Sequence, residues 1–223
     1  MPVQKDTYLQ LSALFKSKRV TLVAVSKTKP VADIEALYAL GQRDFGENYV
    51  QELVEKQAIL PADIHWHFIG HLQSNKVKYI APFVYMIHGV DSLKLLQTIN
   101  RQGTMHNRKI RCLLQVHIAV EETKFGLDKT ELISLLNEVS GEHPLENVQI
   151  CGLMGMASFS DDTQKVRGEF RVLKELFDEV KEKFFYHDEQ FSELSMGMSG
   201  DYEIAIEEGS TLVRIGSLLF GAR

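Results

Sequence analysis

The sequence predicts a single (β/α)₈ barrel domain spanning residues 1–223, and three observations favour this fold. Short apolar runs alternate with longer amphipathic stretches, a pattern typical of parallel strands joined by helical crossovers. The apolar runs number eight, as the strands of such a barrel do. No linker or shift in composition divides the chain. A doubly wound open sheet is the alternative, and the count of eight favours the barrel.

The ends of several predicted helices carry recognisable signals. Pro30 introduces a helix, Gly41 suits the left-handed position after it, and Pro61 stops the next one. Asp128 and Glu131 have the spacing of a capping box. We predict strands at 20–25, 43–45, 65–68, 83–88, 110–118, 148–154, 191–196 and 211–215, with helices near 31–40, 47–59, 72–80, 91–105, 128–139, 161–185 and 200–208.

Composition excludes several classes of function. The net charge of −5 shows no basic excess, so we expect no nucleic-acid partner. No apolar run approaches the roughly 20 residues of a membrane span, and the N-terminus lacks the apolar core of a signal peptide. Cys112 and Cys151 lie far apart in apolar runs, so we expect buried thiols and no disulfide. The cytoplasm is therefore the expected location.

Lys27 and Lys29 stand where the first predicted strand ends, in VTLVAVSKTKP. Function in a barrel gathers at the carboxyl ends of the strands. A lysine there loses hydration, which favours a neutral amine and Schiff-base chemistry. Lys27 is preferred because it lies closer to the strand, whereas Lys29 precedes Pro30, where the chain turns away. The alternative is two solvated lysines beside a turn.

Two loops that follow the last two strands combine glycine with serine, in SMGMSGDYE and VRIGSLLFG. Barrels often bind phosphate between these loops, and exposed backbone N–H groups at helix starts favour an anion. The alternative is that Ser199 only caps a helix and Gly216 only forms a turn. Arg214 ends the eighth run and, if buried, needs an anion or another acceptor.

Other motifs give weaker predictions. His65, His67 and His71 raise the question of zinc, but no further ligand stands close in sequence, so we predict no metal site. The segment around Ser199 lacks the second glycine of a nucleophile elbow. Neither a phosphate-binding P-loop nor a dinucleotide-binding glycine fingerprint is present.

Six segments together resemble the pyridoxal phosphate homeostasis protein family, the proline synthetase-associated type, whose barrel is similar to the N-terminal domain of alanine racemase. They follow the family's order and cover nearly the whole barrel, and six motifs in register are highly specific. The segments are AVSKTKP (24–30), FGENYVQE (45–52), HFIGHLQSNK (67–76), GLMGMA (152–157), LSMGMSGDYEIAI (194–206) and GSTLVRIGSLLFG (209–221).

The resemblance implies pyridoxal 5′-phosphate (PLP) as cofactor and assigns roles to eight residues. Lys27 carries PLP as a Schiff base, Asn48 lies near the ring and Met154 borders its binding face. Arg214 faces the pyridine nitrogen. The phosphate is held by Ser199, Gly216 and Ser217, with help from Gly200. His67, Asn75 and Lys76 belong to a family motif without an assigned role.

The resemblance also implies a role in PLP homeostasis without catalytic turnover, hence no catalytic residues. An arginine facing the ring nitrogen disfavours ring protonation and weakens the ring as an electron sink. The chain ends at Arg223, so we expect no second domain to supply an acid–base residue. Expected partners are PLP and PLP-dependent apoenzymes as clients, with the chain a monomer or weak dimer. The alternatives are a small PLP-dependent racemase or lyase, and a Schiff-base aldolase acting on a phosphorylated sugar.

Overall fold

A computed structural model describes residues 3–119, 125–141 and 144–221, and in it eight parallel strands close into a barrel in sequential order. Closure is made by the pairing of the first strand with the last, in which Thr21 lies opposite Leu212. The predicted barrel is confirmed and the open sheet is excluded. The strands are β1 (Thr21–Val25), β2 (Asp44–Glu47), β3 (His65–Phe68), β4 (Met86–Val90), β5 (Ile110–Gln115), β6 (Val148–Met154), β7 (Glu193–Ser195) and β8 (Leu212–Ile215).

Helices surround the barrel, and those in the described ranges number nine. The first precedes β1 and packs against the last, where the backbone N–H of Gln4 donates to the Leu219 carbonyl at 2.8 Å. They are α1 (Lys5–Lys18), α2 (Val31–Ala39), α3 (Val50–Ile59), α4 (Val77–Ile80), α5 (Leu93–Met105), α6 (Lys129–Val139), α7 (Thr163–Phe184), α8 (Tyr202–Glu207) and α9 (Ser217–Phe220).

The predicted helix ends are largely confirmed. Pro30 is the residue before α2, and Gly41 follows its end with φ of 100°. The helix α3 ends before Pro61. Asp128 and Glu131 form both bonds of the capping box at the start of α6. The helix predicted near 72–80 is shorter, because a 3₁₀ turn occupies 74–76 before α4 begins.

Two strand boundaries differ from the prediction by three residues, and the others differ by no more than two. The strand predicted at 83–88 is β4, which starts at Met86 because the N–H groups of Phe83 and Val84 still bond to the Ile80 carbonyl. The strand predicted to reach 118 ends at Gln115, because Val116 makes only an isolated bridge. Both segments are apolar, so periodicity did not mark where the strand ends lie.

The core has two layers, with the larger one between the barrel and its helices. A smaller cluster inside the barrel comprises Met86, Leu113, Cys151 and Met154. Cys112 and Cys151 are buried free thiols, as predicted. Throughout the described ranges, no helix combines the length and apolar character needed to cross a bilayer.

Candidate functional site

A cavity of about 810 Å³ opens at the carboxyl ends of the strands. Lys27, Asn48 and Gly216 line it just after the ends of β1, β2 and β8, where barrels carry their functional sites. Its volume lies within the range of small-molecule sites. Seven of the eight predicted site residues line this cavity: Lys27, Asn48, Ser199, Gly200, Arg214, Gly216 and Ser217.

One predicted residue is placed elsewhere. Met154 is the last residue of β6 and is buried in the cluster inside the barrel, so its side chain still belongs to the packed interior. Met156, two residues further on, lines the cavity. Side chains two residues apart share a strand face, so the sequence signal for Met156 was present in GLMGMA.

The two candidate lysines both line the cavity, but their surroundings differ. The Lys29 ammonium donates to the carbonyls of Phe220 and Gly221, at 3.1 and 3.3 Å, where α9 ends. Lys29 therefore joins the loop after β1 to the end of α9 through hydrogen bonds. This arrangement favours Lys27 as the amine for covalent chemistry.

A buried cluster of charges lies behind the loop that carries Lys27. The Lys56 ammonium is 2.8 Å from Glu47 Oε1 and 2.7 Å from Glu52 Oε1. It also donates to the Ser26 carbonyl at 2.8 Å. Lys56 is on α3 and its exposure is only 5%. Sequence analysis missed this cluster, although Glu52 and Lys56 have the spacing of a helical ion pair.

This cluster fixes both neighbours of Lys27. The Ser26 hydroxyl donates to Glu47 Oε1, and the Thr28 backbone N–H donates to Glu52 Oε1, each at 2.6 Å. Thr28 has φ of 63°, a conformation that is unusual for a β-branched residue and costs about 1–3 kcal/mol. The bond from Thr28 to Glu52 compensates part of that strain. The backbone on either side of Lys27 is therefore held in one conformation.

Glu47 completes the cluster with an unusual carboxyl group. Burial raises its pKa, and the Lys56 ammonium and the Ser26 hydroxyl act in the opposite direction. Glu47 Oε2 is buried without a hydrogen-bond partner among the described residues. The Lys56 ammonium and the Ser26 hydroxyl, which both bond to Oε1, offset part of the cost of leaving Oε2 unpaired.

The loops after β7 and β8 meet on one side of the cavity. The Gly216 N–H donates to Ser199 Oγ at 3.3 Å, which joins the two loops. Among the described residues other than the chain neighbours of Gly200, no atom lies within 4 Å of the place where Gly200 would carry a Cβ, so space is open there. The helix predicted to start at 200 starts at Tyr202 after Asp201, so Ser199 is not its cap. Since α8 and α9 have only six and four residues, their dipoles are small, and the loop N–H groups are the better candidates for anion donors.

Arg214 is buried at the cavity and satisfies the predicted need for acceptors. Its guanidinium donates to Ser195 Oγ at 2.5 Å and to the Gly155 carbonyl at 3.2 Å. Burial lowers the pKa of Arg214 to about 10, with Asp201 acting in the opposite direction, so the group stays charged at neutral pH. Asn48 Oδ1, also at the cavity, is buried without a partner among the described residues.

The histidines that raised the question of zinc are separated. His65 and His67 both contact Asp44 Oδ1, at 3.1 and 3.0 Å. His71 lies past the opposite end of β3 and pairs with Asp91 at 3.4 Å. In the part of the chain that the structure describes, no group of three or more His, Cys, Asp or Glu side chains has an arrangement that could hold a metal ion. Asn75 and Lys76 are exposed on the 3₁₀ turn.

Together these side chains suit a small anionic ligand that carries a carbonyl group. Lys27 offers an amine for condensation, and Arg214 supplies a fixed positive charge. The serines and glycines of the last two loops offer hydroxyl and backbone donors for an anion. Met156 and Ile69 add apolar surface for a flat ring.

A family model described as the N-terminal domain of alanine racemase matches residues 5–223. A protein of Aquifex aeolicus (strain VF5) called pyridoxal phosphate homeostasis protein is 42% identical over 205 residues, 91% of this chain and 86% of that protein. A human protein with the same name is 42% identical over 214 residues, 91% of this chain and 76% of that protein.

Solved structures also match this chain over nearly its whole length. PipY of Synechococcus elongatus PCC7942 without PLP superposes with a TM-score of 0.87 at 37% identity, covering 95% of this chain and 98% of that chain. PipY with PLP bound gives 0.84 at 36% identity, covering 96% and 100%. Alanine racemase from Bartonella henselae, at 17% identity and a TM-score of 0.71, covers 99% of this chain and 60% of its own, and shows the fold alone.

Proposed function

Because the chain belongs to the alanine racemase N-terminal-domain family and, within it, to the pyridoxal phosphate homeostasis proteins, we propose that it binds PLP as a Schiff base on Lys27. Its role is the homeostasis of intracellular PLP. The observation that carries this proposal is the convergence of Lys27, Arg214 and the two glycine–serine loops on one cavity.

The residues present fit this cofactor. The open space at Gly200 leaves room for a phosphate beside the donors of Ser199 and Ser217. Asn48 Oδ1, which has no hydrogen-bond partner among the described residues, offers an acceptor for a donor on the ligand. PLP, when bound, supplies an aldehyde that condenses with primary amines. Lys27 provides such an amine, and its two neighbours hold it in place through the charge cluster behind them.

We further propose that the chain carries PLP without turnover of its own. Arg214 is charged at neutral pH and is held against the barrel by Ser195 and Gly155. A fixed positive charge beside the pyridine nitrogen disfavours its protonation, and an unprotonated ring is a weak electron sink. The chain's own residues therefore suit reversible storage better than carbanion chemistry.

We also propose client proteins, a cellular location and an oligomeric state for the chain. PLP-dependent apoenzymes are the proposed clients, since a reversible carrier needs an acceptor. The proposed location is the cytoplasm, because Cys112 and Cys151 are buried free thiols, as in reducing compartments. We propose a monomer or weak dimer built on one barrel domain.

The test is to add PLP to the purified chain, record its absorbance, and follow both amino-acid turnover and transfer of PLP to an apoenzyme. We expect a band near ~420 nm, the usual region of a PLP Schiff base, recovery of apoenzyme activity, and no change in the enantiomers of added alanine. Turnover would overturn the carrier proposal in favour of a racemase or lyase. No band would overturn PLP binding and direct attention to phosphorylated sugars.

A further inference from the structure

A continuous row of hydrogen-bonded side chains crosses the barrel interior from the cavity to the opposite mouth. Arg214 NH1 lies 2.5 Å from Ser195 Oγ, and Ser195 Oγ lies 3.3 Å from His88 Nδ1. His88 Nε2 lies 2.9 Å from His67 Nδ1, and His67 Nε2 lies 3.0 Å from Asp44 Oδ1. Asp44 begins β2, so the row ends at the amino-terminal mouth of the barrel.

The chemistry of the two ends fixes the direction of every bond in the row. An arginine has only donors, and an ionised carboxylate has only acceptors. Arg214 therefore donates to Ser195, and His67 donates from Nε2 to Asp44. With one proton on each ring, His67 Nδ1 accepts from His88 Nε2. His88 Nδ1 is then an acceptor and receives the hydroxyl proton of Ser195.

The surroundings favour two neutral histidines, as this direction requires. Burial lowers the pKa of His67, with Asp44 acting in the opposite direction. Burial lowers the pKa of His88 well below its ordinary value, and His67 and Arg214 add to that effect. Burial raises the pKa of Asp44, but its hydrogen bond with His67 and its interactions with His67 and His65 outweigh this, so the net shift is downward. The carboxylate is therefore ionised at neutral pH.

Other charged and titratable groups face the row from the elements packed around it. His65 on β3 shares Asp44 Oδ1 with His67, and Tyr85 packs against the His67 ring at 5.2 Å between centroids. Glu193 on β7 also acts on His67, but its carboxylate pairs with Arg111 at 3.4 Å. These groups surround the amino-terminal mouth, and Arg214 is the charge at the other end.

We propose that Ser195, His88, His67 and Asp44 are positioning residues that hold Arg214 in one orientation at the ligand cavity through a one-directional row of hydrogen bonds. The Ser195 hydroxyl and the Gly155 carbonyl each accept a hydrogen bond from one of the five guanidinium N–H groups. The orientation of the remaining N–H groups of Arg214 is thereby fixed. The effect of this row on the ligand rests on the proposed PLP function. The direction of the row does not.

The direction is tested first, on the chain without ligand. Long-range ¹H–¹⁵N correlation spectra of the labelled chain report which ring nitrogens of a histidine carry protons. At pH 7.5 we expect His67 and His88 both neutral with the proton on Nε2, with signals assigned by His67→Gln and His88→Gln. A proton on Nδ1 of either ring, or a doubly protonated ring, would overturn the proposal.

The positioning role is tested by PLP affinity in Ser195→Ala, Ser195→Thr and Ser210→Ala. Ser210 is a matched control: it is a buried serine between β7 and β8 whose hydroxyl bonds to the Met196 carbonyl at 2.7 Å. We expect about a tenfold loss in Ser195→Ala, the scale of one hydrogen bond to a charged group. Ser195→Thr keeps the hydroxyl and is expected to retain affinity.

The outcomes separate this inference from the proposed function. Equal affinities of Ser195→Ala and Ser210→Ala would overturn the positioning role while leaving PLP binding intact. A wild-type chain that binds no PLP would overturn the proposed function, and the histidine spectra would still decide the direction of the row. If Ser195→Ala does not fold, the histidine spectra of the wild-type chain still decide the direction of the row, on which the proposal depends.

Discussion

Lys56 and Glu47 form a buried ion pair, with the ammonium nitrogen 2.8 Å from the carboxylate oxygen Oε1, directly behind the loop that carries Lys27. The same ammonium is bonded to Glu52 and to the Ser26 carbonyl. One buried lysine therefore holds β2, α3 and the end of β1 together. The geometry of the proposed anchor depends on a residue that never reaches the ligand cavity.

Removing this lysine is expected to destabilise the chain strongly. Lys56→Met leaves the Glu47 carboxyl without its cation, and breaking a buried ion pair in this way costs about 3–5 kcal/mol. Lys129→Met is the matched control, because Lys129 pairs with Glu179 at 2.6 Å with 63% and 46% of the side chains exposed. Such exposed pairs contribute about 0–1 kcal/mol. Urea unfolding measures the free energy of unfolding of both variants. Equal losses of stability would contradict a structural role of the buried Lys56 ion pair.

Stability is expected to fall as the solution is acidified below about pH 6.5. Burial lowers the pKa of His67 and His88 from an ordinary value of 6.5, so the unfolded chain binds protons that the folded chain does not. A histidine that stays neutral in the folded chain contributes a loss of up to about 1.4 kcal/mol per pH unit as pH falls, and His88, whose pKa is lowered further, is expected to approach this limit. His88→Asn removes one of the two contributions.

Urea unfolding between pH 7.5 and 5 measures this slope in the wild type and in His88→Asn. The variant is expected to be less stable at every pH but to have a slope smaller by about 1.4 kcal/mol per pH unit. Glu47, whose pKa burial raises, loses stability as pH rises and thus has the opposite slope. It is present in both proteins and cancels in the difference. Parallel slopes would show that His88 is not held neutral.

Gly70 is expected to tolerate no side chain. A Cβ there would lie 2.5 Å from the Asn48 carbonyl oxygen, so Gly70→Ala displaces the segment that places Asn48 at the cavity. We expect a loss of about 1–3 kcal/mol, the scale of overpacking, and weaker PLP binding. Gly168→Ala is the control, because a Cβ on this exposed glycine of α7 would meet no atom within 4 Å among the described residues beyond its chain neighbours and the helix backbone. It is expected to stabilise by about 0.5–1 kcal/mol; thermal unfolding with PLP titration compares the two.

The phosphate loops are tested by comparing two ligands. Ser199→Ala combined with Ser217→Ala removes two hydroxyl groups from the side of the cavity where the last two loops meet. Affinity for PLP is expected to fall about tenfold or more, whereas affinity for pyridoxal, which lacks the phosphate, is expected to stay within about twofold. Fluorescence titration measures both, and an equal loss for the two ligands would place the phosphate elsewhere.

Sequence patterns were sufficient for the barrel and most of the cavity, for a physical reason. Alternating strands and helices have few stable arrangements, and parallel strands of a barrel bring their carboxyl ends to one face. Lys27 and the loops around Ser199 and Gly216 each follow a strand, and Arg214 lies near the carboxyl end of β8, so their convergence was predictable from strand order alone. The pattern GLMGMA could not show whether Met154 or Met156 lines the cavity, because the end of β6 decides which side chain emerges there.

The polar row and the charge cluster were not predictable, because both depend on strand register. His67 lies opposite Gly46 and Met86, which sets it near Asp44 and His88, and no periodicity encodes that pairing. Lys56 looks like a surface residue in the sequence of α3. Its burial follows from the packing of that helix behind the loop at the end of β1.

The central claim is that Lys27 is the covalent anchor for PLP, and borohydride reduction followed by peptide mass mapping tests it most directly. Reduction converts a C=N bond into a stable C–N bond and so fixes the label where it formed. We expect the pyridoxyl mass on the peptide containing Lys27, its loss in Lys27→Ala and its persistence in Lys29→Ala. A label on Lys29, or no labelled peptide after saturation with PLP, would show that Lys27 is not the anchor.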